Sequence, residues 1–254
     1  VKIIVTRILM LIVLLLAACS MPERNTHQDS YGEAKRLLNQ EIYKDHRKTF
    51  YCGCAFSKAK KARCNVGTSR RAKTVEWEHV VPASRFGQTF ESWQSSKTWG
   101  CRLPEFLQWL LDADCRTVSG RSNAGQQSRL YRLMEADMHN LVPAIGLINQ
   151  KRSNLPYGDI PGEARRFGRC DFEVNDQYAE PAPAIRGDIA RIYFYMTRAY
   201  PDQMRLTAAE QEMFTQWDRQ DPVDKWECLR CRRIQSAQLS RNPVVDEACR
   251  AANL

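Results

Sequence analysis

Histidine is scarce in this chain: His27, His46, His79 and His139 are the only four among 254 residues. Any chemistry that needs an imidazole must be assigned within that set. Long apolar runs are missing too. The one uninterrupted stretch, Ile8 to Leu16, has nine residues, too few to span a bilayer as a helix. No internal repeat and no low-complexity segment occurs, which leaves an ordinary globular domain. Acid is short relative to base, with 29 Asp and Glu against 38 Lys and Arg and a net charge of +9. Such a surplus suggests an anionic partner, nucleic acid or a membrane surface, without choosing between them.

The N-terminus accounts for the apolar run. Lys2 and Arg7 form a basic n-region before it, and the small residues Ala17 and Ala18 lead to Cys19, the anatomy of a secretory signal. Leu16-Ala17-Ala18-Cys19 also resembles a bacterial lipobox, in which the cysteine is lipidated and becomes the mature N-terminus. An ordinary cleaved signal with an incidental cysteine is the alternative. Residues 1–18 are therefore read as a signal peptide of lipoprotein type, 19–30 as a polar tether and 31–254 as the main domain. Removing residues 1–18 takes away Lys2 and Arg7 and no acid, so the net charge falls from +9 to +7.

Export also sets how the ten cysteines are read. Outside the cytoplasm they point to disulfides rather than zinc. Cys52-Gly-Cys54 is too tight for a usual zinc knuckle, and Cys228-Leu-Arg-Cys231 has no second ligand pair at clear spacing. Setting Cys19 aside leaves an odd number, so four bridges and one spare thiol are the simplest expectation, with an intermolecular bond as the alternative.

Apolar spacing predicts helices over residues 33–46, 104–112, 130–136, 208–219 and 223–238. A further helix over 187–199 carries Ile189, Ile192, Tyr193 and Met196 on one face. Residues 74–81 and 139–142 read as strands, and Pro143 sits where a helix could begin, its missing N–H costing little there. Residues 51–73, rich in cysteine, Lys and Arg, read as irregular and stapled. Residues 88–127 read as a long excursion. The fold class is α+β, a mainly helical, disulfide-stapled single domain.

Two segments carry unexpected polar groups. "TVEWEHVVPASRFG" (74–87) places Glu76, Glu78 and His79 in an otherwise strand-like apolar run, where charged groups need partners or a job. "EADMHNLVPAIGLINQKRSN" (135–154) places Asn140 and Asn149 within an apolar pattern. On a helix beginning near Pro143, Asn149 would point across to the strand carrying Glu78. A carboxylate and an amide oxygen are hard ligands suited to Mg²⁺, which keeps several of its waters. A neutral histidine beside that ion can take a proton from an attacking water. These are the parts of phosphodiester hydrolysis. The competing reading is structural, with Glu78 in a salt bridge and Asn149 capping a turn. His27 and His46 are expected to be surface bystanders and His139 a packed or exposed strand residue. The run Lys58, Lys60, Lys61, Arg63, Arg70, Arg71 and Lys73 is either a solvated loop or a track for a phosphate backbone.

"VEWEHVVPASRFG" followed by "MEADMHNLVPAIGLINQKRSN" resembles the bacterial endonuclease I family of exported, nonspecific nucleases. The similarity runs from about Tyr31 to Cys249 and includes "FYCGC", "RGDIARIYFYM" and "DKWEC". It implies an endonuclease I-like catalytic domain over 31–254 with a ββα-metal (His-Me finger) site. By that resemblance His79 is the general base, Glu78 and Asn149 are the protein ligands of one Mg²⁺ (Mn²⁺ or Ca²⁺ substituting in binding), and Asn140 supports the histidine strand. A glutamate shortly before the second motif maps to Glu135, and a phosphate-binding arginine to Arg121, with Arg102 and Arg116 as substitutes. Family members commonly carry cysteines where this chain has Ser92 and Ala124. A Cys101–Cys115 bridge is expected to replace the lost one, leaving Cys231 as the candidate free thiol. The resemblance implies a monomeric nuclease of DNA, and of RNA as a second substrate; with the lipobox it is expected to be exported, a periplasmic or outer-membrane-anchored lipoprotein held through Cys19, or alternatively secreted. A DNA-capturing lipoprotein on a degenerate nuclease scaffold, and a surface protein binding acidic polymers, are the competing accounts.

Overall fold

The computed structural model describes residues 21–254 apart from 96, 113, 114 and 163. The signal segment and Cys19 lie outside the described residues. Ser30 caps helix α1 (Tyr31–Leu37), accepting from the Glu33 amide, and the helix continues as a π turn over Leu38–Ile42. Strand β1 (Val75–His79) is followed by two short helices, α2 (Ala83–Gly87) and α3 (Glu91–Gln94). Helix α4 (Glu105–Leu110) lies in the excursion. Ser119 and Ser128 cap α5 (Gly120–Gln127) and α6 (Arg129–Glu135), each hydroxyl accepting an amide three residues on. Strand β2 (Leu141–Ile145) runs straight into α7 (Gly146–Arg152). A three-residue hairpin, β3 (Phe172–Val174) and β4 (Ala179–Pro181), precedes α8 (Arg186–Ala199). Helices α9 (Ala208–Gln220), α10 (Lys225–Gln238) and α11 (Pro243–Ala251) complete the chain. Their starts follow from capping: a Thr207–Glu210 capping box, Asp224, and Asn242 before Pro243.

The site is built on an antiparallel ribbon in which Trp77 pairs with Pro143 and Glu78 with Val142. Pro143 therefore lies inside β2 and does not open a helix, which starts three residues later at Gly146. The reason is local. The Pro143 carbonyl accepts from the Phe50 amide at 2.7 Å, so this residue's backbone faces away from β1 and its missing N–H breaks no ladder bond. His139, placed by the sequence in a strand, sits in a buried 3₁₀ turn over Met138–Asn140. Ile189, Ile192, Tyr193 and Met196 of α8 are all buried, in one core with Phe214 and Trp217 of α9 and Val142, Ile145 and Ile148 of the ribbon and α7. Val75 and Trp77 belong to a second core with α1 and Ile234 of α10.

Four disulfides staple the described chain: Cys52–Cys170, Cys54–Cys64, Cys101–Cys115 and Cys228–Cys249. Cys231 is free and buried. At Ser92 and Ala124, both buried, α3 packs on α5. The Asn123 amide donates to the carbonyls of Ser92, Ser95 and Lys97 at 2.8 to 3.0 Å, so hydrogen bonds hold this junction. Residues 21–30, expected as a tether, lie along the domain: Asn25 is buried and donates to the Leu133 carbonyl at 2.8 Å, Asp29 pairs with Arg132, and Glu23 pairs with Arg198. Among the described residues no helix is long and apolar enough to cross a membrane.

Candidate active site

Strand alternation sends Glu76 and Glu78 to one face of the ribbon and Val75 and Trp77 to the other. His79 ends the strand against the ring of Tyr31, with centroids 5.2 Å apart. A cleft of about 670 Å³ opens there, lined among others by Glu78, His79, Arg121, Glu135 and Asn149. It thus brings together the proposed base, both proposed ligands, the arginine and the glutamate. Asn140 stands behind them. Its side-chain oxygen accepts from the Val81 amide at 2.7 Å and its amide donates to the Val81 carbonyl at 3.0 Å, which prolongs the ribbon past β1 and fixes the chain leaving His79.

His79 Nε2–H donates to the main-chain carbonyl of Glu135 at 2.8 Å. A carbonyl only accepts, so the proton is held on Nε2 and Nδ1 carries the lone pair. Burial lowers the His79 pKa to about 3, opposed by that bond, which keeps the ring neutral and basic in form at ordinary pH. Glu135 has a second task. Its carboxylate accepts from Arg121 Nε at 2.6 Å and from the Tyr131 hydroxyl at 3.3 Å, while the Arg121 guanidinium lies 5.5 Å from the Tyr31 ring centre. Neither Arg102 nor Arg116 lines the cleft. Arg102 pairs with Glu91 on the excursion at 3.2 Å.

The acidic side is anchored from below. Arg152, fully buried, donates from Nη1 to Glu78 Oε1 at 3.1 Å and to the His79 carbonyl at 2.9 Å, and from Nη2 to the Val80 carbonyl at 2.6 Å. Burial nevertheless raises the Glu78 carboxyl to about 7, the Arg152 charge opposing it. Asn149 donates from Nδ2 to Glu76 Oε2 at 2.9 Å, and Glu76 is gripped in turn by Arg71 at 2.5 Å. Gly146 gives this junction its close fit: a Cβ there would lie 2.6 Å from Glu76 Oε1 and 3.1 Å from the Arg71 carbonyl, so the Glu76 side chain would have to shift. These bonds occupy the amide nitrogen of Asn149 and one oxygen of Glu78, leaving the amide oxygen and the second carboxylate oxygen as donors beside one cleft. Two hard oxygens and room for water fit a Mg²⁺-like ion. A buried carboxyl with a raised pKa fits as well, because a cation would relieve the cost of its charge.

Sequence reasoning did not find Tyr31, Arg152 or the supporting role of Glu76. Arg152 carried a usable signal, since it follows Asn149 by three on one helix and so shares its face. Tyr31, 48 positions before His79, carried none. Lys60 and Arg71 of the basic run, and Lys35 of α1, also line the cleft. His27 is exposed and His46 stacks on Trp226 at 3.8 Å. His139 is buried against Tyr195.

The family model described as Endonuclease I matches residues 23–249. Among the similar proteins, an extracellular deoxyribonuclease of Aeromonas hydrophila is 36% identical over 242 residues, covering 91% of this chain and 94% of its own. A periplasmic deoxyribonuclease of the same organism is 37% identical over 237 residues, covering 87% and 89%. An endonuclease-1 of Buchnera aphidicola is 34% identical over 232 residues, covering 87% and 82%.

Proposed function

The chain belongs to the endonuclease I family, and from that premise we propose that it is an exported, Mg²⁺-dependent endonuclease of low sequence preference. Nuclease action is what the family and the names of the relatives support. The metal, the base and the lipid anchor are our reading. DNA is the substrate proposed first and RNA second, since binding through backbone phosphates carries no base information.

Glu78 and the Asn149 amide oxygen would hold the ion, and a bound Mg²⁺ would supply charge stabilisation at a phosphate oxygen and the leaving group. His79 Nδ1 accepts a proton from water, whose oxygen attacks phosphorus in line with the departing 3′-oxygen. The phosphorus–O3′ bond breaks, the departing 3′-oxygen takes a proton from solvent to become a hydroxyl, and the product keeps a 5′-phosphate. The incoming phosphate, being anionic, raises the basicity of a ring that burial depresses. Arg121, oriented by the Glu135 carboxylate, faces the developing phosphate charge. Lys35 and Lys60 at the cleft rim add backbone attraction. An N-terminus lipidated at Cys19 would hold the domain at a membrane surface.

What supports this reading is the His79–Glu135 carbonyl bond, which holds the proton on Nε2 and leaves Nδ1 unprotonated on a residue lining the cleft with Glu78 and Asn149. The test incubates supercoiled plasmid with the oxidised chain from residue 19 onward (Cys19→Ser) in Mg²⁺, in EDTA, and in Mg²⁺ with His79→Ala. Nicking that needs both Mg²⁺ and His79, falling about a hundred- to ten-thousandfold in the variant, supports the mechanism. Intact plasmid with a folded, DNA-binding wild-type protein would leave a DNA-capturing lipoprotein as the better account.

A further inference from the structure

The cleft continues past the candidate catalytic residues. Strand β1 and helix α7 run along it together. Asn149 binds Glu76 towards one end, and Arg152 binds the carbonyls of His79 and Val80 towards the other. Lys60 and Arg71 line the Glu76 end, where the Lys60 carbonyl accepts from Val75 and Arg71 grips Glu76. Pro82 and Asn154 line the opposite end. The same two residues also line a further cavity of about 250 Å³, so the two spaces adjoin. Ser84 and Arg85 of α2, Gln88 just past it, and Leu155, Pro156 and Tyr193 complete its walls. Two turns build it. Helix α2 starts directly after Pro82, and at helical spacing Ser84, Arg85 and Gln88 fall on one face. Arg85 ties that face to the start of α9, donating to the Glu210 carboxylate at 2.5 and 2.8 Å and to the Arg205 carbonyl at 3.0 Å. Opposite, α7 gives way to Ser153 at φ +51°, a sign of φ that residues other than glycine seldom take. The amides of Ser153 and Leu155 donate to the carbonyls of Asn149 and Arg152 at 2.9 and 3.0 Å. That closes the helix and sends the chain on through Asn154.

The walls of the cavity differ in kind from the other end of the cleft. Among the described residues that line it, Arg85 alone is charged, and Glu210 matches that charge. Pro82, Leu155, Pro156 and Tyr193 supply apolar surface. Among the described residues, the Ser84 hydroxyl and the Gln88 and Asn154 amides make no hydrogen bond within the protein. Apolar walls with a few neutral donors and acceptors suit a planar heterocycle, whereas phosphate is served by the cations at the Lys60 and Arg71 end. Continuity names the source of the heterocycle. A strand whose phosphate lies between His79 and Glu78 leaves the centre on both sides, and on the Pro82–Asn154 side it meets this cavity. We infer that the cavity is a subsite for one nucleobase of the bound strand, carried by a nucleotide flanking the scissile phosphate, with Ser84, Gln88 and Asn154 facing its polar edge. A base enters only when it is out of the stack, so an unpaired strand supplies it at least cost. The path of the strand rests on the nuclease reading above.

The test uses the oxidised chain from residue 19 (Cys19→Ser) and thymidine tetranucleotides whose middle linkage alone is a phosphodiester, the others being uncharged methylphosphonates. Removing the base next to that linkage, on the side that faces the cavity, should lower kcat/KM of the wild type about tenfold. In Ser84→Phe, which fills the cavity, the base-bearing and abasic substrates should be cut within about twofold of each other. Gln88→Ala, a milder change at an exposed position, should narrow the gap in the same direction and carries the test if Ser84→Phe fails to fold by circular dichroism. A second readout needs no turnover. With 5-iodo-deoxyuridine beside the middle linkage and EDTA present, illumination should cross-link the tetranucleotide to peptides holding residues 84–88 or 154–156, and Ser84→Phe should abolish the adduct. No abasic penalty on either side of the linkage, or the same penalty in wild type and variants, overturns the proposal. So do adducts confined to other segments, or a loss in the variants that abasic and base-bearing substrates share, which would assign the cavity to phosphate or sugar. Adducts at the cavity without cleavage would sink the nuclease reading and leave the subsite standing; cleavage with adducts elsewhere would do the reverse.

Discussion

Replacing Glu78 with glutamine should remove a pH dependence of stability that the buried carboxyl imposes. Burial raises this carboxyl from 4.5 to about 7 even with Arg152 at 3.1 Å. An acid whose folded pKa lies above its unfolded one contributes stability that is present below the unfolded pKa and lost as pH rises through the folded one. The window therefore runs from pH 4.5 to about 7. At about 1.4 kcal/mol per unit, the loss is about 3 kcal/mol, or about 6 to 12 °C in melting temperature for a domain of this size. Urea unfolding in EDTA should show wild type losing about that much relative to Glu78→Gln across the window. Glutamine also leaves the buried Arg152 without its charged partner, a cost that displaces the variant's curve without tilting it. Adding Mg²⁺ at pH 8 should restore wild type, since an ion bound only by the folded state stabilises it by mass action, and should restore the variant far less. Parallel pH curves for the two proteins, or an equal Mg²⁺ gain, would refute both the burial argument and Glu78 as a ligand.

Arg121→Ala should lower kcat about a hundredfold or more, as expected for one donor to transition-state charge, while Arg102→Ala and Arg116→Ala change it little; steady-state plasmid cleavage by all three decides which arginine serves the phosphate. Arg152→Met strands Glu78 and the carbonyls of His79 and Val80 and should cost about 3 to 5 kcal/mol, read by urea unfolding at pH 8; a loss under 1 kcal/mol would show that the pair is not holding the strand. Asn140→Ala leaves the Val81 N–H and carbonyl without their side-chain partners and should cost about 2 to 4 kcal/mol, with cleavage per folded molecule reduced because the chain after His79 is loosened.

What the sequence made legible and what it hid divide along physical lines. Long amphipathic helices were readable because their apolar spacing reports one buried face: Ile189, Ile192, Tyr193 and Met196 of α8 lie in the core. Helix α11 and the short helices α2, α3 and α5 went unread. Four or five residues give too little periodicity, and in α5 only Asn123 and Ala124 are buried. The hairpin β3–β4 has three residues per strand and follows a loop tied by Cys52–Cys170 across 118 positions, a constraint with no local signature. Pro143 misled because a proline before an apolar run looks like a helix start. Only the Phe50 contact from 93 positions away shows why it can sit in a strand. The candidate cleft was legible where charged or amide groups interrupt apolar runs, at Glu78, His79 and Asn149, which line it together. It was hidden where an ordinary aromatic or arginine does the holding, as with Tyr31 and Arg152.

The structural and catalytic readings of Glu78 and Asn149 looked like rivals, yet the structural contacts leave room for the proposed one. Glu78 is in a salt bridge and Asn149 does hold a neighbour, as the bland account requires. Each contact uses only half of the group. Arg152 takes one carboxylate oxygen, and Glu76 takes the amide nitrogen, which could never ligate a cation. The structural bonds thus restrain two flexible side chains that line the cleft and leave one oxygen of each unused by them, which would lower the entropy an ion has to overcome. The same division holds at Glu135, whose backbone carbonyl orients His79, the proposed base, while its side chain orients Arg121. Glu135→Gln should therefore separate them. It keeps the carbonyl, and with it the His79 tautomer, but takes the charge away from Arg121. Cleavage should fall while the pH profile set by His79 keeps its shape; a shifted profile would mean that the two tasks of Glu135 are coupled after all.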